Sequence, residues 1–279
     1  MLRQDAYMTS SLNQVQAAEL DLLKWFKTYC ENNHLVYYIS GGTLLGAVRH
    51  HGFIPWDDDI DVALPRKDYE RLVKEVRDNL PSNMFASHYS WDDNTVALCL
   101  RLHSNDAHVV SALYNPPQVQ PCWIDIFPLD AAPGTPLKTL RAKLSLSLHT
   151  LQVILSKKDR IATEKKRPLL ERTVLYIIDR CHIKSRLTFA EACSRLDHLL
   201  IKNHWSTPGF VFNYHGRYKF LSVMNYSQIY GVGTFLPFED EQFFAPEDYD
   251  SYLKQIYGDY MTPPAPDQRN DHGTTVLQT

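Results

Sequence analysis

The stretch Gly41-Gly42-Thr43-Leu44-Leu45-Gly46-Ala47-Val48-Arg49-His50-His51-Gly52-Phe53-Ile54-Pro55-Trp56-Asp57-Asp58-Asp59-Ile60-Asp61-Val62 organises the rest of the chain. A glycine pair follows an apolar run, and Asp57, Asp58, Asp59 and Asp61 then place four carboxylates within five positions. So dense a patch of negative charge is costly unless something positive sits on it. The stretch points to a divalent-cation site with a phosphate cradle in front.

Working outward, His34 to Ser40 is β-branched and aromatic and predicts a strand that ends at the glycine pair, where the backbone turns without a Cβ penalty. Leu44 to Arg49 predicts a short helix starting on that turn. Asp59 to Leu64 alternates as a strand should, and Pro65 closes it. Upstream, Ser11-Leu12-Asn13-Gln14 reads as a capping box, with Val15, Ala18, Leu22, Trp25, Phe26 and Tyr29 recurring behind it at helical spacing. Downstream, Lys67 to Leu80 predicts an amphipathic helix. Short strands are expected at Met84–Tyr89, Val96–Leu102 and His108–Leu113, and a fourth apolar run at Trp123–Phe127. After Pro136 the pattern turns helical to about Asn203 and is basic in places, notably Lys165-Lys166-Arg167, with Pro168 starting a new helix. From Trp205 it is aromatic and rich in turns. A last helix is expected at about Pro246–Tyr257, and a disordered tail after about His272.

Composition narrows the class. At 279 residues, 44% apolar and 22% charged, the chain reads as an ordinary soluble globular protein. Its formal net charge of −3 lacks the basic excess of a nucleic-acid binder. The five cysteines are scattered and odd in number, with no C-x-x-C, which argues against a disulfide framework or zinc site and for a reducing compartment. The first residues have no apolar h-region and no run reaches the length of a membrane span, so a cytoplasmic protein is expected.

In a strand Asp59 and Asp61 share a face, about 6–7 Å apart. Magnesium takes oxygen ligands, usually one or two carboxylates plus substrate phosphates. On that reading Ile60 and Val62 point into the core, while Asp57 and Asp58 are support in a preceding loop. An isolated D-x-D is short and common and often no more than a charged turn. Two further features weigh for chemistry here. Gly41-Gly42 opens a helix whose N-terminal N–H groups suit anions, and Asp125 stands inside a strongly apolar strand, where its burial needs a partner.

The pattern of Gly41-Gly42 followed by Asp59-Ile60-Asp61-Val62 resembles the nucleotidyltransferase-fold superfamily. The full run from Ser40 to Val62 resembles the hallmark of the LicD family, which includes bacterial phosphocholine transferases and is related to fukutin-type transferases. Pro65-Arg66-Lys67-Asp68-Tyr69, Ile124-Asp125-Ile126-Phe127-Pro128-Leu129-Asp130, Phe238-Glu239 and the Pro246 to Pro264 region fit as well, so the likeness spans roughly Leu20 to His272. It implies an α+β fold: a nucleotidyltransferase-like mixed sheet flanked by helices, in residues 1–135, with a mainly helical insertion at 136–204 and a C-terminal part at 205–279 that completes the catalytic domain. It implies transfer of phosphocholine, or a similar phospho-alcohol, from a CDP-activated donor to a hydroxyl of a surface, capsular or lipid-linked glycan. Asp59, Asp61 and Asp125 become the catalytic acids and the ligands of Mg²⁺ or Mn²⁺, with Asp125 alternatively the base toward the acceptor hydroxyl. Gly41, Gly42 and Thr43 become the turn against the donor phosphates. Other readings of the same residues are attachment of a nucleoside monophosphate to a sugar or small acceptor, and a non-catalytic binding module.

Arg49 and Arg66 are further candidates for donor phosphate contact, with Arg101 a lesser one. His50 shares the reach of Arg49, and Trp56 suits either packing or stacking on a base. The cluster His215-Gly216-Arg217-Tyr218-Lys219, together with Glu239, Arg269 and His272, is open to binding or structural roles, whereas His51 and His103 read as structural. Leu140, Leu144, Leu148, Leu151 and Leu155 recur at helical spacing with Arg141 and Lys143 nearby. They predict a helix packed on the catalytic core, with peripheral membrane contact as the other reading.

Overall fold

The computed structural model describes residues 2–111, 114, 116–157, 180, 185–202, 207, 209–265, 269 and 274–276, with the backbone alone at 2–11 and 274–276. Lys165-Lys166-Arg167, Pro168 and His272 lie outside the described residues.

Helix α1 (Leu2–Asn32) leads into β1 (Tyr38–Ile39), α2 (Gly41–Arg49), β2 (Asp61–Pro65), α3 (Arg66–Glu75), β3 (Met84–Ser87), β4 (Leu100–Ser111) and β5 (Gln118–Ala131). Helices α4 (Pro136–Ser156) and α5 (Phe189–Ile201) follow. The chain then gives β6 (Phe210–Phe212), β7 (Met224–Asn225), α6 (Tyr226–Ile229), β8 (Thr234–Phe238), β9 (Glu241–Ala245), α7 (Tyr249–Tyr257) and β10 (Thr274–Val276). The main sheet runs β1-β2-β5-β4-β10, with β3 also on β4, and with β6 on β5 leading to β7. Strands β2 and β5 are parallel and their other neighbours antiparallel. The sheet is mixed and the fold is α+β, as expected.

The core explains the order. Val15, Ala18, Leu22, Leu23 and Phe26 bury the inner stripe of α1 in the same apolar cluster as Ile60, Val62 and Leu64 of the β2 region and Ile124 and Ile126 of β5. Ile60 and Val62 point inward as the alternation predicts, both fully buried. Helix α3 buries Tyr69 and Leu72, and the Tyr69 hydroxyl accepts from the Leu100 N–H at 3.0 Å, tying α3 to the start of β4. A second cluster gathers Ala142, Leu146 and Val153 of α4 with Phe189, Leu196 and Leu200 of α5, and adds Tyr89, Phe212 and Tyr214. Helix α5 starts on a complete capping box between Thr188 and Glu191.

Several expectations change. Helix α1 begins at Leu2, so Ser11 lies inside it rather than capping it. The first strand contracts to Tyr38–Ile39, and α2 starts at Gly41, which takes the glycine pair into the helix. The strands expected at Val96–Leu102 and His108–Leu113 are one strand, β4, with an irregularity between Ser104 and His108 where Asn105 and Asp106 sit. The helix expected to Leu80 closes as a 3₁₀ turn at Val76–Asp78. In the tail, Thr274–Val276 pair with Val109–Ser111 of β4.

Candidate active site

Three strands and one helix end converge on the acids. Asp61 opens β2 directly opposite Asp125 of β5, and Arg101 of β4 is the antiparallel partner of Asp125 on its other side. In a sheet such neighbours present their side chains on one face, so Asp61, Asp125 and Arg101 form a row across three strands, two adjacent acids and then a base. Arg101 donates through Nε to Asp125 Oδ1 at 2.7 Å and through a terminal nitrogen to Oδ2 at 3.4 Å. Trp123 Nε1 reaches Oδ2 at 3.4 Å and Cys99 Sγ reaches Oδ1 at 3.3 Å. The partner that burial of Asp125 demanded is therefore Arg101, which also lies over the Trp123 ring at 4.4 Å. Burial pulls the guanidinium down, but Asp125 outweighs it and holds Arg101 above its ordinary value.

The glycines have a more local task than a phosphate cradle alone. Gly41 sits at φ +56°, and a Cβ there would fall 2.7 Å from Asp61 Oδ2. A Cβ on Gly42 would fall 2.8 Å from Asp57 Oδ2 and 4.0 Å from Asp59 Oδ1. The first turn of α2 thus admits the Asp61 and Asp57 carboxylates only because neither position carries a side chain, while Asp59 lies at ordinary contact distance. The Gly41 N–H donates to the Tyr252 hydroxyl at 3.4 Å. Thr43 is buried, and its hydroxyl accepts from the Asp61 N–H at 2.8 Å. Thr43 therefore locks α2 to β2 through its side chain. Asp57, read as loop support, is buried, and its backbone carbonyl accepts from Gln16 Nε2 at 2.8 Å. Asp59 lies two residues before β2 rather than within it.

One acid went unnoticed in the sequence. Glu19 of α1 is only 2% exposed, and its Oε2 is buried without a hydrogen-bond partner. It lies one turn beyond Gln16, on the side of α1 that Gln16 fastens to the Asp57 loop. Burial first, then the charges of Asp59, Asp58, Asp57 and Asp125, hold its carboxyl well above the usual range. A signal was available: Glu19 interrupts the apolar stripe of Val15, Ala18, Leu22 and Leu23.

The expected phosphate contacts divide. Arg49 ends α2 and donates to the Tyr260 carbonyl at 2.7 Å, with burial lowering its pKa and Asp57 opposing that. Arg66 is a correction. It grips Asp130 with two 2.7 Å hydrogen bonds and stands 2.9 Å from Asp197 Oδ1 of α5, an ion pair without hydrogen-bond alignment. Tyr89 donates to Asp197 Oδ2 at 2.7 Å, and His215 Nε2 lies 3.7 Å from Oδ1. With its fork turned to the buried Asp130 and the half-buried Asp197, Arg66 ties α3 and β5 to α5. Burial lowers its pKa, but Asp130 raises it further, leaving it above the ordinary value. Glu239 is structural, its Oε1 accepting from the Phe53 N–H at 2.9 Å. His103 is buried with Ser87 Oγ at 2.8 Å from Nε2. Arg269 stacks over Trp56 at 4.0 Å, beside the acids, and His50 meets the same ring edge-on.

For a divalent cation, hard carboxylate oxygens around the first turn of α2 are the appropriate donor set. Among the described residues no three His, Cys, Asp or Glu side chains close into a cage by themselves. A magnesium ion completed by water and substrate phosphates does not require one.

Residues 34–141 match the family model described as LicD/FKTN/FKRP, nucleotidyltransferase domain. The whole chain is similar to the lipopolysaccharide cholinephosphotransferase LicD of Haemophilus influenzae, 28% identical over 94% of this chain and 96% of that one. Uncharacterised proteins of Rickettsia prowazekii and Rickettsia typhi are 56% identical over 36 residues, which is 13% of this chain and 14% and 12% of theirs. The matched domain holds α2, β2, β4 and β5, the elements that bring Gly41, Asp61, Arg101 and Asp125 together, and it is over these residues that the chain is similar to the LicD family.

Proposed function

We propose that this protein transfers phosphocholine, or a similar phospho-alcohol, from a CDP-activated donor to a hydroxyl of a cell-surface or capsular glycan, free or lipid-linked. The observation that carries the reading is the meeting of Asp61 and Asp125 across β2 and β5 beside the N-terminus of α2. The name of the Haemophilus relative supports phosphocholine as the group that moves. Asp59 and Asp61 would hold Mg²⁺, or Mn²⁺ in its place. When bound, such an ion offsets the charge of the donor phosphates and of the departing CMP.

The chain supplies the positioning. The positive end of α2 favours the donor pyrophosphate, and the bare Gly41-Gly42 backbone permits close approach. Arg101 fixes the orientation of Asp125, which serves either as a further ligand or as the acceptor of the glycan hydroxyl proton. The buried free thiols Cys30, Cys99, Cys122 and Cys193 support a reducing, cytoplasmic setting. Among the described residues no helix is long and apolar enough to cross a membrane.

Incubation with CDP-choline, Mg²⁺ and a glycan acceptor tests the reading. Release of CMP that is lost in Asp59→Ala supports it. Pyrophosphate release from a nucleoside triphosphate would instead make the protein a nucleotidyltransferase. Donor binding without turnover of either kind would make it a binding module. A panel of CDP-alcohols, ranked by Mg²⁺-dependent thermal stabilisation, identifies the alcohol.

A further inference from the structure

Helix α4 does not pack on the catalytic core as its leucine repeat suggests. Leu137, Leu140, Leu144 and Leu148 are 61%, 55%, 65% and 66% exposed. The opposite side of the same helix buries Ala142, Leu146 and Val153 in the cluster shared with α5. At about 100° per residue Leu137, Leu144 and Leu148 fall within about 40° of one another, with Leu140 at one margin. Four leucines in a line on an outer helix form an apolar patch of the kind that marks an interaction surface.

Charge says which surface. Over its 21 residues α4 carries Lys138, Arg141 and Lys143 and not one acid, in a chain whose formal net charge is −3. Arg141 and Lys143 flank the leucine line on either side. Beside it opens a cleft of about 490 Å³, lined by Pro133, Pro136, Leu140, Phe210 and Val223, with Lys143 on its wall. A second copy docking through this face would set lysine and arginine against their own kind with no acid on either helix to answer them. An anionic lipid surface answers both features, taking the leucines among its acyl chains and the bases among its phosphates.

We infer that the outer face of α4 is a docking surface for a bilayer that contains anionic lipid. The inference is independent of the transferase reading, since it uses none of the catalytic residues.

Co-sedimentation of the full chain with phosphatidylcholine vesicles, with and without phosphatidylglycerol, tests it. The expected result is binding to the anionic vesicles alone, weakened by salt and reduced at least tenfold in the double variant Leu144→Glu/Leu148→Glu. Should that variant fail to fold, the paired change Arg141→Gln/Lys143→Gln, which spares the leucines, must weaken binding and flatten its salt dependence. Absence of binding to anionic vesicles overturns the inference. So does equal binding by a folded variant, or a dimer in solution that Leu144→Glu/Leu148→Glu dissolves.

Discussion

Asp61 and Asp125 face one another across the parallel strands β2 and β5, and Asp125 is gripped by Arg101 of the next strand. Asp61→Asn should abolish Mg²⁺-dependent donor binding and CMP release together. Asp125→Asn keeps the shape and the Arg101 contact while losing charge and basicity. If Asp125 accepts the hydroxyl proton, donor binding survives in this variant and turnover falls by the 10²–10⁴-fold typical of a lost general base. Loss of both would make it a ligand. Calorimetric titration with Mg²⁺ and CDP-choline, alongside a CMP assay, separates the outcomes.

Gly42→Ala tests the crowding at the first turn of α2. A methyl there would press within 2.8 Å of Asp57 Oδ2, and overpacking of this kind costs about 1–3 kcal/mol. The expected variant folds, melts at a lower temperature and binds Mg²⁺ more weakly, because the carboxylate must retreat. Unchanged Mg²⁺ binding would detach the glycine from the acids.

Glu19 sets a pH dependence whose sign follows from its environment. Its carboxyl is held well above its ordinary value by burial and by the neighbouring acids, so the native state binds the proton more tightly than the unfolded chain. The stability this contributes is complete below about pH 4.5 and is lost as pH rises through the native value. In metal-free buffer Glu19→Gln should therefore be the more stable protein at pH 8, by on the order of 1–3 kcal/mol, since the amide spares an ill-satisfied buried acid. Near pH 4.5 the difference should vanish. Urea unfolding at both pH values measures it, and a Gln variant less stable at pH 8 would contradict the environment described.

Arg66→Met addresses the corrected role of that residue. Asp130 is 1% exposed and would keep a buried charge with no counterpart, a change that costs about 3–5 kcal/mol. A marked fall in melting temperature is expected, with KM for the CDP donor unchanged below the transition. A raised KM with unaltered stability would return Arg66 to the phosphates.

Local pattern was enough for the parts of the site that lie close in sequence. Alternation at Ile60 and Val62 and the glycine pair before them locate β2 and α2, and an acid inside an apolar run singles out Asp125. Legibility ended where a side chain's partner is remote. Arg66 looks like any basic residue after a strand until Asp130 and Asp197 are brought to it. Arg101 finds Asp125 only through the β4–β5 register, and Glu19, visible as a break in an apolar stripe, meets its acid neighbours only once α1 is packed. Asn105 and Asp106 resemble a turn, which split one irregular strand into two. The leucine repeat of α4 was visible, but repetition alone does not say which side of a helix the protein covers.

Strand β5 has one more consequence. It carries Asp125 between β2 and β4, and at its end Asp130 and Ala131 pair with Phe212 and Val211 of β6. Ala132 exchanges hydrogen bonds with the returning chain, donating to the Phe210 carbonyl and accepting from the Thr207 N–H, both at 2.8 Å. Departure and return thus meet at a closed seam, and closing a longer loop on a seam costs little more than closing a short one. Changes of length between α4 and α5 would leave that seam and the acids in place, provided that α5 keeps Asp197 against Arg66 and Tyr89.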